Sequence, residues 1–350
     1  MDNMKTLSLI QLGPGTVGKE LISIIYSHIP YIRDRYGIDL RYVGSFRSKS
    51  GIFDPSGLNK EQLDAFNEFS VSIEISSVLD SVVGIPVLID TTASDNTVTS
   101  MKQVLERGGI VIMANKKPLS NEYQLFESLV HSYPGRVYYE TTVGAGLPII
   151  APLRNMLESG DTILSIEGCF SGTLGYVCSE METGTPYGKA VAKAKELGFT
   201  EPDPRDDLSG TDVARKALIL ARMIGMQNEM IDISIEPFYD TSLATEPLEN
   251  FLIKMPDSGQ HFDHAMEQAL QQGKTLRYAA TIREGTITVG LRSLDSQSPI
   301  GSLSGPDNIV ILRTERYNEH PLVVQGPGAG PVVTAAGLFG DLLTIIRTQL

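Results

Sequence analysis

The stretch Thr6-Leu-Ser-Leu-Ile-Gln-Leu-Gly-Pro-Gly-Thr-Val-Gly18 carries the strongest fold signal in the chain. Thr6–Leu12 is predicted to be a buried strand, and the apolar spacing of Leu21, Ile22 and Ile25 predicts a helix after it. The G-x-G-x-x-G turn between them allows close backbone approach to a pyrophosphate, which the N–H groups of a helix N-terminus bind. A dinucleotide-binding fold is therefore predicted; the open alternative is a glycine-rich turn in another α/β protein.

Two groups of residues are predicted to contact the cofactor in this part of the chain. The turn supplies Gly13, Gly15, Thr16, Val17 and Gly18. Arg47 and Lys49 follow the second predicted strand, Asp39–Ser45, where NAD-specific folds place an acidic residue against the ribose. Two basic side chains there favour a 2′-phosphate, and hence NADP over NAD. A solvated basic loop is the alternative.

Strands and helices then alternate, which predicts a parallel sheet. The predicted strands are Pro86–Asp90, Ile110–Met113 and Arg136–Glu140, with a helix at Gly57–Ser70 and another ending at Arg107. Ligands of such sheets lie at the carboxyl ends of the strands. Thr91, Thr92 and Lys116 are therefore predicted to line the nicotinamide end of the cleft.

The second half of the chain has a different pattern, typical of an open sheet packed against helices. Its predicted strands are Thr162–Phe170, Leu276–Arg283, Thr286–Ser293 and Asn308–Arg316. Its predicted helices are Ser171–Met181, Lys189–Leu197, closed by Gly198, and Thr211–Ile224. Residues 225–272 give little signal. The fold class is thus α/β, a Rossmann-like domain followed by an α+β domain.

Glu201–Lys216 is the most chemically distinctive segment. Pro202 and Pro204 predict a rigid, exposed loop that holds carboxylates in fixed directions. Asp212 and Lys216 are four residues apart and share one face of the helix that follows. Carboxylates beside an oriented lysine suit the binding of a small zwitterion and the transfer of a proton. A charged loop that caps an exposed helix is the alternative.

Two further glycine-rich turns stand out. Glu140–Pro148 is predicted to present backbone carbonyls beside Glu140, which suits a hard monovalent cation, although a simple connection between domains is an equal alternative. Gln325–Asp341 joins a glycine-rich turn to a helix of small residues. That helix is predicted to return to the nucleotide domain, with Gly330 facing the cofactor.

Composition limits the possible partners. A length of 350 residues predicts two domains, and a formal net charge of −13 argues against binding to nucleic acid or to an anionic membrane. Cys169 and Cys178 have no metal-like spacing, which suits a reduced, cytoplasmic protein. No membrane span is predicted from the apolar runs, and Met1–Lys5 does not predict a signal peptide.

These stretches together resemble the homoserine dehydrogenase family. The resemblance rests on Gly13–Gly18, Asn115–Pro118, Glu140–Pro148, Ser171–Thr173, Glu201–Lys216 and Gly326–Asp341, in the family's order and over nearly the whole chain. It implies a nucleotide domain at 1–150, a catalytic and dimerisation domain at 151–325 and a returning C-terminal segment at 326–350. It also implies a homodimer that interconverts L-homoserine and L-aspartate 4-semialdehyde with NAD(P), in threonine and methionine biosynthesis.

The resemblance also implies residue roles. The catalytic lysines would be Lys216 and Lys116, and the substrate contacts Glu201, Asp207, Asp212 and Thr173. A sodium ion would lie at Glu140, Val143, Ala145 and Leu147, held largely by backbone oxygens. Gly198 joins the cofactor contacts.

The chain departs from the family pattern at several points. Phe199 stands where a tyrosine is common, and Ser171 where many bacterial members have asparagine. Neither an aspartate kinase region nor a C-terminal regulatory domain is visible in the sequence. Feedback by threonine through such a domain is therefore not expected.

Two other functions share parts of this pattern. Aspartate-semialdehyde dehydrogenase needs a nucleophilic cysteine, and neither Cys169 nor Cys178 has a histidine partner in the sequence pattern. A non-catalytic NADP sensor on the same fold would need neither Lys216 nor its carboxylates.

Overall fold

The structure, a computed structural model, describes residues 4–349. Met1–Asn3, on which part of the signal-peptide prediction rests, lie outside the described residues, as does Leu350. The chain forms two compact units. The first comprises Met1–Gly146 and Gly330–Leu350, and the second comprises Leu147–Ala329.

The first unit is built on a six-stranded sheet in the order β3-β2-β1-β4-β5-β6, parallel except for the edge strand β3. Its strands are β1 Lys5–Leu12, β2 Ile38–Phe46, β3 Gly51–Phe53, β4 Ile85–Asp90, β5 Ile110–Met113 and β6 Val137–Tyr138. Its helices up to Gly146 are α1 Thr16–Tyr36, α2 Lys60–Asp64, α3 Phe66–Phe69, α4 Val98–Glu106, α5 Lys117–Ser120, α6 Tyr123–Phe126 and α7 Thr141–Gly144. Strand order reverses between β1 and β4, and such switch points bind ligands in open α/β sheets.

The second unit contains a six-stranded sheet in the order β12-β11-β7-β9-β10-β8. Its strands are β7 Ile163–Cys169, β8 Ser234–Ile235, β9 Lys274–Arg283, β10 Thr286–Asp295, β11 Asp307–Thr314 and β12 Leu322–Pro327. Its helices are α8 Ile150–Glu158, α9 Gly172–Glu182, α10 Tyr187–Glu196, α11 Arg205–Leu208, α12 Thr211–Met223, α13 Leu248–Ser258 and α14 Gln260–Gln271. All pairings are antiparallel except that of β8 with β10. The two sheets confirm the predicted fold class.

The last helix, α15 (Pro331–Thr348), belongs to the first unit. By length and composition it is apolar enough to cross a membrane, although its sequence is interrupted by Asp341 and Arg347. Its apolar residues join the core around β1 and α1, and they include Ala335, Leu338, Leu342 and Ile345. These residues of α15 thus form part of the apolar core of the first unit.

Several local predictions were wrong. The helix predicted at Gly57–Ser70 is two short helices, because Asn59 and Gln62 form a capping box that starts α2 and Ala65 (φ −91°, ψ 33°) breaks the helical path. The glycine-rich turn predicted from Gln325 begins later, since Gln325–Pro327 pair with β11 as the end of β12. The turn predicted after Glu140 contains the helical turn α7.

Glu201–Lys216 is not an extended loop throughout. Pro204 adopts helical backbone angles and caps α11, a position that accepts proline because its N–H would have no helical partner. Pro204 is buried, whereas Glu201 and Pro202 are exposed. The helix predicted at Thr211–Ile224 is confirmed as α12, and Gly210 precedes it as the N-cap in the left-handed conformation (φ 72°).

Candidate active site

The glycine turn of the first unit presents backbone rather than side chains. Gly15 caps α1 with no side-chain cap, so the first N–H groups of the helix are available as donors. Gly15 and Thr16 are exposed, and a Cβ placed on Gly15 would meet nothing within 4 Å. A Cβ on Gly13 (φ 86°) would lie 2.8 Å from Thr92. The open edge with unused amides fits a dinucleotide diphosphate.

A cavity of about 630 Å³ adjoins this turn within the first unit. It is lined by the ends of β1 and β2, by Glu74–Ser76 and by the start of α4, and its wall includes Gly13, Arg47, Ser48, Thr92 and Ser94. The Arg47 guanidinium donates to Asn67 at 2.9 Å and lies 4.7 Å from the Phe66 ring centre. Arg47 is thus held at the cavity wall; Lys49 is exposed on the following loop.

Of the residues predicted at the nicotinamide end, the two threonines make hydrogen bonds that hold the backbone at the ends of β1 and β4. Thr91 Oγ1 donates to the carbonyls of Leu12 and Gly13, at 2.9 and 2.6 Å. The Thr92 N–H donates to the carboxylate of Asp90. Lys116 is half-buried at the N-cap of α5, and Gly330 (φ 111°) at the N-cap of α15 has open space around it.

The sequence analysis did not identify Asp90, which accepts hydrogen bonds at the carboxyl edge of the first sheet. Asp90 is fully buried at the carboxyl end of β4, where it also accepts a hydrogen bond from the side chain of Asn115 at 3.0 Å. Asn115 in turn donates to the Ser94 carbonyl. These bonds join the ends of β4 and β5. The sequence signal that could have identified Asp90 was its position as an acidic residue at the end of a predicted strand.

The second unit places Lys216 in a buried, charged setting. Lys216 is 9% exposed; its Nζ donates to the Phe170 carbonyl at 2.6 Å and pairs with Asp212 at 2.9 Å. The helical spacing predicted the pair with Asp212. The contact with Phe170 was missed, because it involves a backbone atom 46 residues away that leaves no sequence signal.

Thr173 and Asp207 form a second cluster in this unit. The Thr173 hydroxyl donates to the Phe199 carbonyl and to Asp207, at 2.5 and 3.2 Å. Asp207 also accepts from the Glu201 N–H at 2.8 Å. Burial raises the pKa of Asp207 above its usual value, although the bonds from Glu201 and Thr173 act the other way. The structure thus brings Thr173, Asp207 and the backbone of Glu201 together.

Local contacts in the second unit show what several residues near these two clusters do. Ser171 Oγ accepts from the Leu174 N–H, so this serine caps α9. Gly210 must be glycine, since a Cβ there would lie 2.0 Å from the Tyr278 hydroxyl. Arg205 pairs with Asp203 and donates to the carbonyls of Leu243, Ala244 and Glu246, which anchors the segment. Gly198 (φ 75°) follows the end of α10.

The residues predicted to hold a cation do not all belong to one unit. Glu140, Val143 and Ala145 belong to the first, where the Glu140 N–H donates to Asp341 at 3.2 Å and Ala145 has the unusual angles φ 53°, ψ −104°. Leu147 belongs to the second. Among residues 4–349, no group of three His, Cys, Asp or Glu side chains is placed to hold a metal ion.

The glycine turn of the first unit is of the dinucleotide-binding type, and the second unit contains a buried lysine–carboxylate pair. Residues 148–343 match the family model described as homoserine dehydrogenase. The chain is 38% identical over 293 residues to the homoserine dehydrogenase of Paracoccidioides brasiliensis, which covers 78% of each chain. The chain therefore belongs to the homoserine dehydrogenase family.

Two other comparisons found similar proteins. Over 352 residues the chain is 38% identical to the chloroplastic bifunctional aspartokinase/homoserine dehydrogenase 1 of Arabidopsis thaliana. That match spans 97% of this chain and 39% of the plant protein. A hyperthermophilic archaeal homoserine dehydrogenase, solved in complex with NADPH, has the same fold (TM-score 0.74, 23% identity, 99% of this chain and 98% of that one).

Proposed function

We propose that this protein interconverts L-homoserine and L-aspartate 4-semialdehyde with NADP(H). One observation carries the proposal beyond family membership. The Lys216 ammonium is buried and fixed from two sides, by the Phe170 carbonyl at the end of β7 and by the Asp212 carboxylate. A cation fixed in this way at the carboxyl end of a strand suits proton transfer to a bound substrate.

The reduction of the aldehyde needs a hydride and a proton. The nicotinamide supplies the hydride to the carbonyl carbon. Lys216 donates its proton to the carbonyl oxygen and takes it back from the hydroxyl when homoserine is oxidised. Asp212 fixes the ammonium, so that the proton leaves from one position in each turnover. Lys116 adds positive charge that polarises the carbonyl.

The carboxylates of the acidic segment suit the other end of the substrate. Glu201 is exposed, and its backbone is tied to Asp207. We assign the substrate ammonium to Glu201 and Asp207. Thr173 fixes the direction of Asp207 through its hydroxyl.

The first unit is proposed as the nucleotide domain and the second as the catalytic and dimerisation domain of a cytoplasmic homodimer. Arg47 at the cavity wall supports NADP over NAD, because a guanidinium binds a 2′-phosphate well. Lys49, on the same loop, is assigned to that phosphate as well. A sodium ion is proposed at the Glu140–Leu147 turn.

The cysteines argue against a thioester mechanism. Cys169 and Cys178 are buried, and burial raises the pKa of each thiol to about 12. Neither is therefore a thiolate at neutral pH, which the nucleophile of aspartate-semialdehyde dehydrogenase must be.

The test is NADPH consumption with L-aspartate 4-semialdehyde in phosphate-free buffer, followed by absorbance, with NADH run in parallel. We expect turnover without phosphate, faster with NADPH, and homoserine as the product. NADPH consumption with the acyl phosphate of aspartate, which releases phosphate, and none with the semialdehyde would indicate the thioester reaction. Tight NADPH binding with no turnover would indicate a sensor.

A further inference from the structure

Gln11 is a buried polar residue in the middle of an apolar strand, and the reaction described above does not use it. It is fully buried near the end of β1, between neighbours that pack in the core. Its position in the sheet is level with Ser45 of β2 and Ile89 of β4. A polar side chain at a core position is costly unless it is hydrogen-bonded, so its partners matter.

The partners of Gln11 all belong to the glycine turn or its supports. Gln11 Nε2 donates to the Gly13 carbonyl and to Thr91 Oγ1, each at 3.3 Å. It also fills the space beside α1, since a Cβ on Gly18 would lie 2.0 Å from this nitrogen. One amide group thus contacts the turn, the end of β4 and the first turn of α1.

The Gly13 carbonyl accepts from three donors. These are the Gly15 N–H at 2.8 Å, Thr91 Oγ1 at 2.6 Å and Gln11 Nε2 at 3.3 Å. The next residue is Pro14, which has no N–H to offer an anion. A Gly13 carbonyl turned outward would place a partial negative charge beside a diphosphate. Donors behind the carbonyl keep it turned away, so that the N–H groups of α1 form the binding edge.

Gln11 also has one unsatisfied atom. Within the part of the chain that the structure describes, its buried Oε1 has no hydrogen-bond partner. An apolar side chain of similar length would remove that unsatisfied oxygen. Gln11 therefore contributes little to the stability of the core, whereas its hydrogen bonds contribute to the conformation of the turn. Measurements of stability and of cofactor affinity separate these two effects.

We propose that Gln11 is a positioning residue for cofactor binding, which holds the Gly13 carbonyl away from the diphosphate site. This inference rests on the proposed NADP(H) function. It assigns to Gln11 an effect on the affinity for the whole cofactor and no direct contact with the reacting atoms.

The test compares Gln11→Met with Ser8→Ala. Ser8 is a matched control, because it is equally buried in β1 and its hydroxyl donates to Val83 at the opposite end of the strand. Each variant is measured for its thermal unfolding midpoint, its Kd for NADPH by fluorescence titration, and its kcat and cofactor KM. Gln11→Glu is a third variant, which places a carboxylate behind the Gly13 carbonyl.

For Gln11→Met we expect an unfolding midpoint equal to or above that of the wild type, with a Kd and KM for NADPH raised about tenfold and a smaller change in kcat. Gln11→Glu should raise the Kd further. Ser8→Ala should lower the midpoint and leave the Kd unchanged.

The inference is overturned if Gln11→Met binds NADPH as the wild type does, whether its stability rises or falls. It is also overturned if Ser8→Ala weakens NADPH binding as much as Gln11→Met. A wild-type protein that does not bind NADPH would instead contradict the proposed function. The two failures are therefore distinguishable.

Discussion

The glycine turn Gly13–Gly18 and the acidic segment Glu201–Lys216 differ in the groups that they offer for the binding proposed above. The turn offers backbone N–H groups at an exposed edge and is held from behind by Thr91 and Gln11. The acidic segment offers side chains, and its lysine is buried against a carbonyl and a carboxylate. Under the proposed function, cofactor binding in the first region depends on backbone N–H groups that no Cβ covers. Proton transfer in the second region depends on one side chain, that of Lys216.

This difference predicts different responses to substitution. A change in the turn should alter cofactor affinity or folding and leave the chemical step largely intact. A change of Lys216 should stop the chemical step and leave cofactor affinity intact. Variants that fail to separate in this way would show that the two regions do not have separate tasks.

Lys216→Ala should have the largest effect. Loss of the proton donor should lower kcat by about 10²–10⁴-fold, while the Kd for NADPH stays near that of the wild type. Lys193→Ala is the matched control, because Lys193 also pairs with a carboxylate, Glu180 at 2.9 Å, but is exposed. Steady-state kinetics and NADPH titration of both variants check this; equal kcat values would contradict the role of Lys216.

Gly18→Ala and Gly15→Ala should separate folding from binding in the turn. A Cβ on Gly18 would meet Gln11 at 2.0 Å and the Gly13 carbonyl at 2.6 Å, so the variant should lose about 1–3 kcal/mol of unfolding free energy. A Cβ on Gly15 meets nothing, and its φ of −86° suits alanine. Gly15→Ala should therefore keep its stability and lose NADPH affinity.

Urea unfolding and NADPH titration distinguish these two variants. If Gly15→Ala binds NADPH as tightly as the wild type, the open edge of the turn is not the diphosphate site. If Gly18→Ala is as stable as the wild type, the packing between β1 and α1 is looser than the structure indicates.

Asp207→Asn should have the smallest effect on stability, visible as a pH dependence of the unfolding free energy. Burial raises the pKa of Asp207, so the folded protein binds this proton more tightly than the unfolded chain does. The wild type should therefore lose unfolding free energy as the pH rises from the ordinary value of 3.8 through the raised pKa of the folded state. Asparagine cannot ionise, and it can still accept from the Glu201 N–H.

The measurement for Asp207→Asn is the difference in urea midpoint between variant and wild type across the mildly acidic range. The difference should move in favour of the variant as the pH rises. A difference that stays constant with pH would show that Asp207 has no raised pKa in the folded protein.

Local spacing predicted the elements whose determinants lie close together in the chain. The strand, turn and helix around Gly13 follow from glycines and apolar residues within one short stretch, as does α12 from Thr211 onward. The pair of Asp212 with Lys216 likewise needs only helical periodicity. These features depend on geometry that a single element contains.

Features that depend on distant partners were not predictable in the same way. Gln325–Pro327 form a strand by pairing with residues 307–309 of β11, a partner that local spacing does not reveal. Asp207 contacts Thr173 across 34 residues, and no periodicity relates the two. Gln11 looked like one more residue of a strand, since its role depends on the carbonyl of Gly13 and on Thr91, which is 80 residues away.

The most direct test of the role of Lys216 is chemical rescue of Lys216→Ala by small primary amines during reduction of L-aspartate 4-semialdehyde by NADPH. If Lys216 is the proton donor, the variant should be nearly inactive alone. Added ethylammonium should then restore turnover in proportion to its concentration, and more acidic ammonium ions should act faster. Turnover near the wild-type rate without any amine, and no response to added amine, would contradict the assignment of Lys216 as the proton carrier.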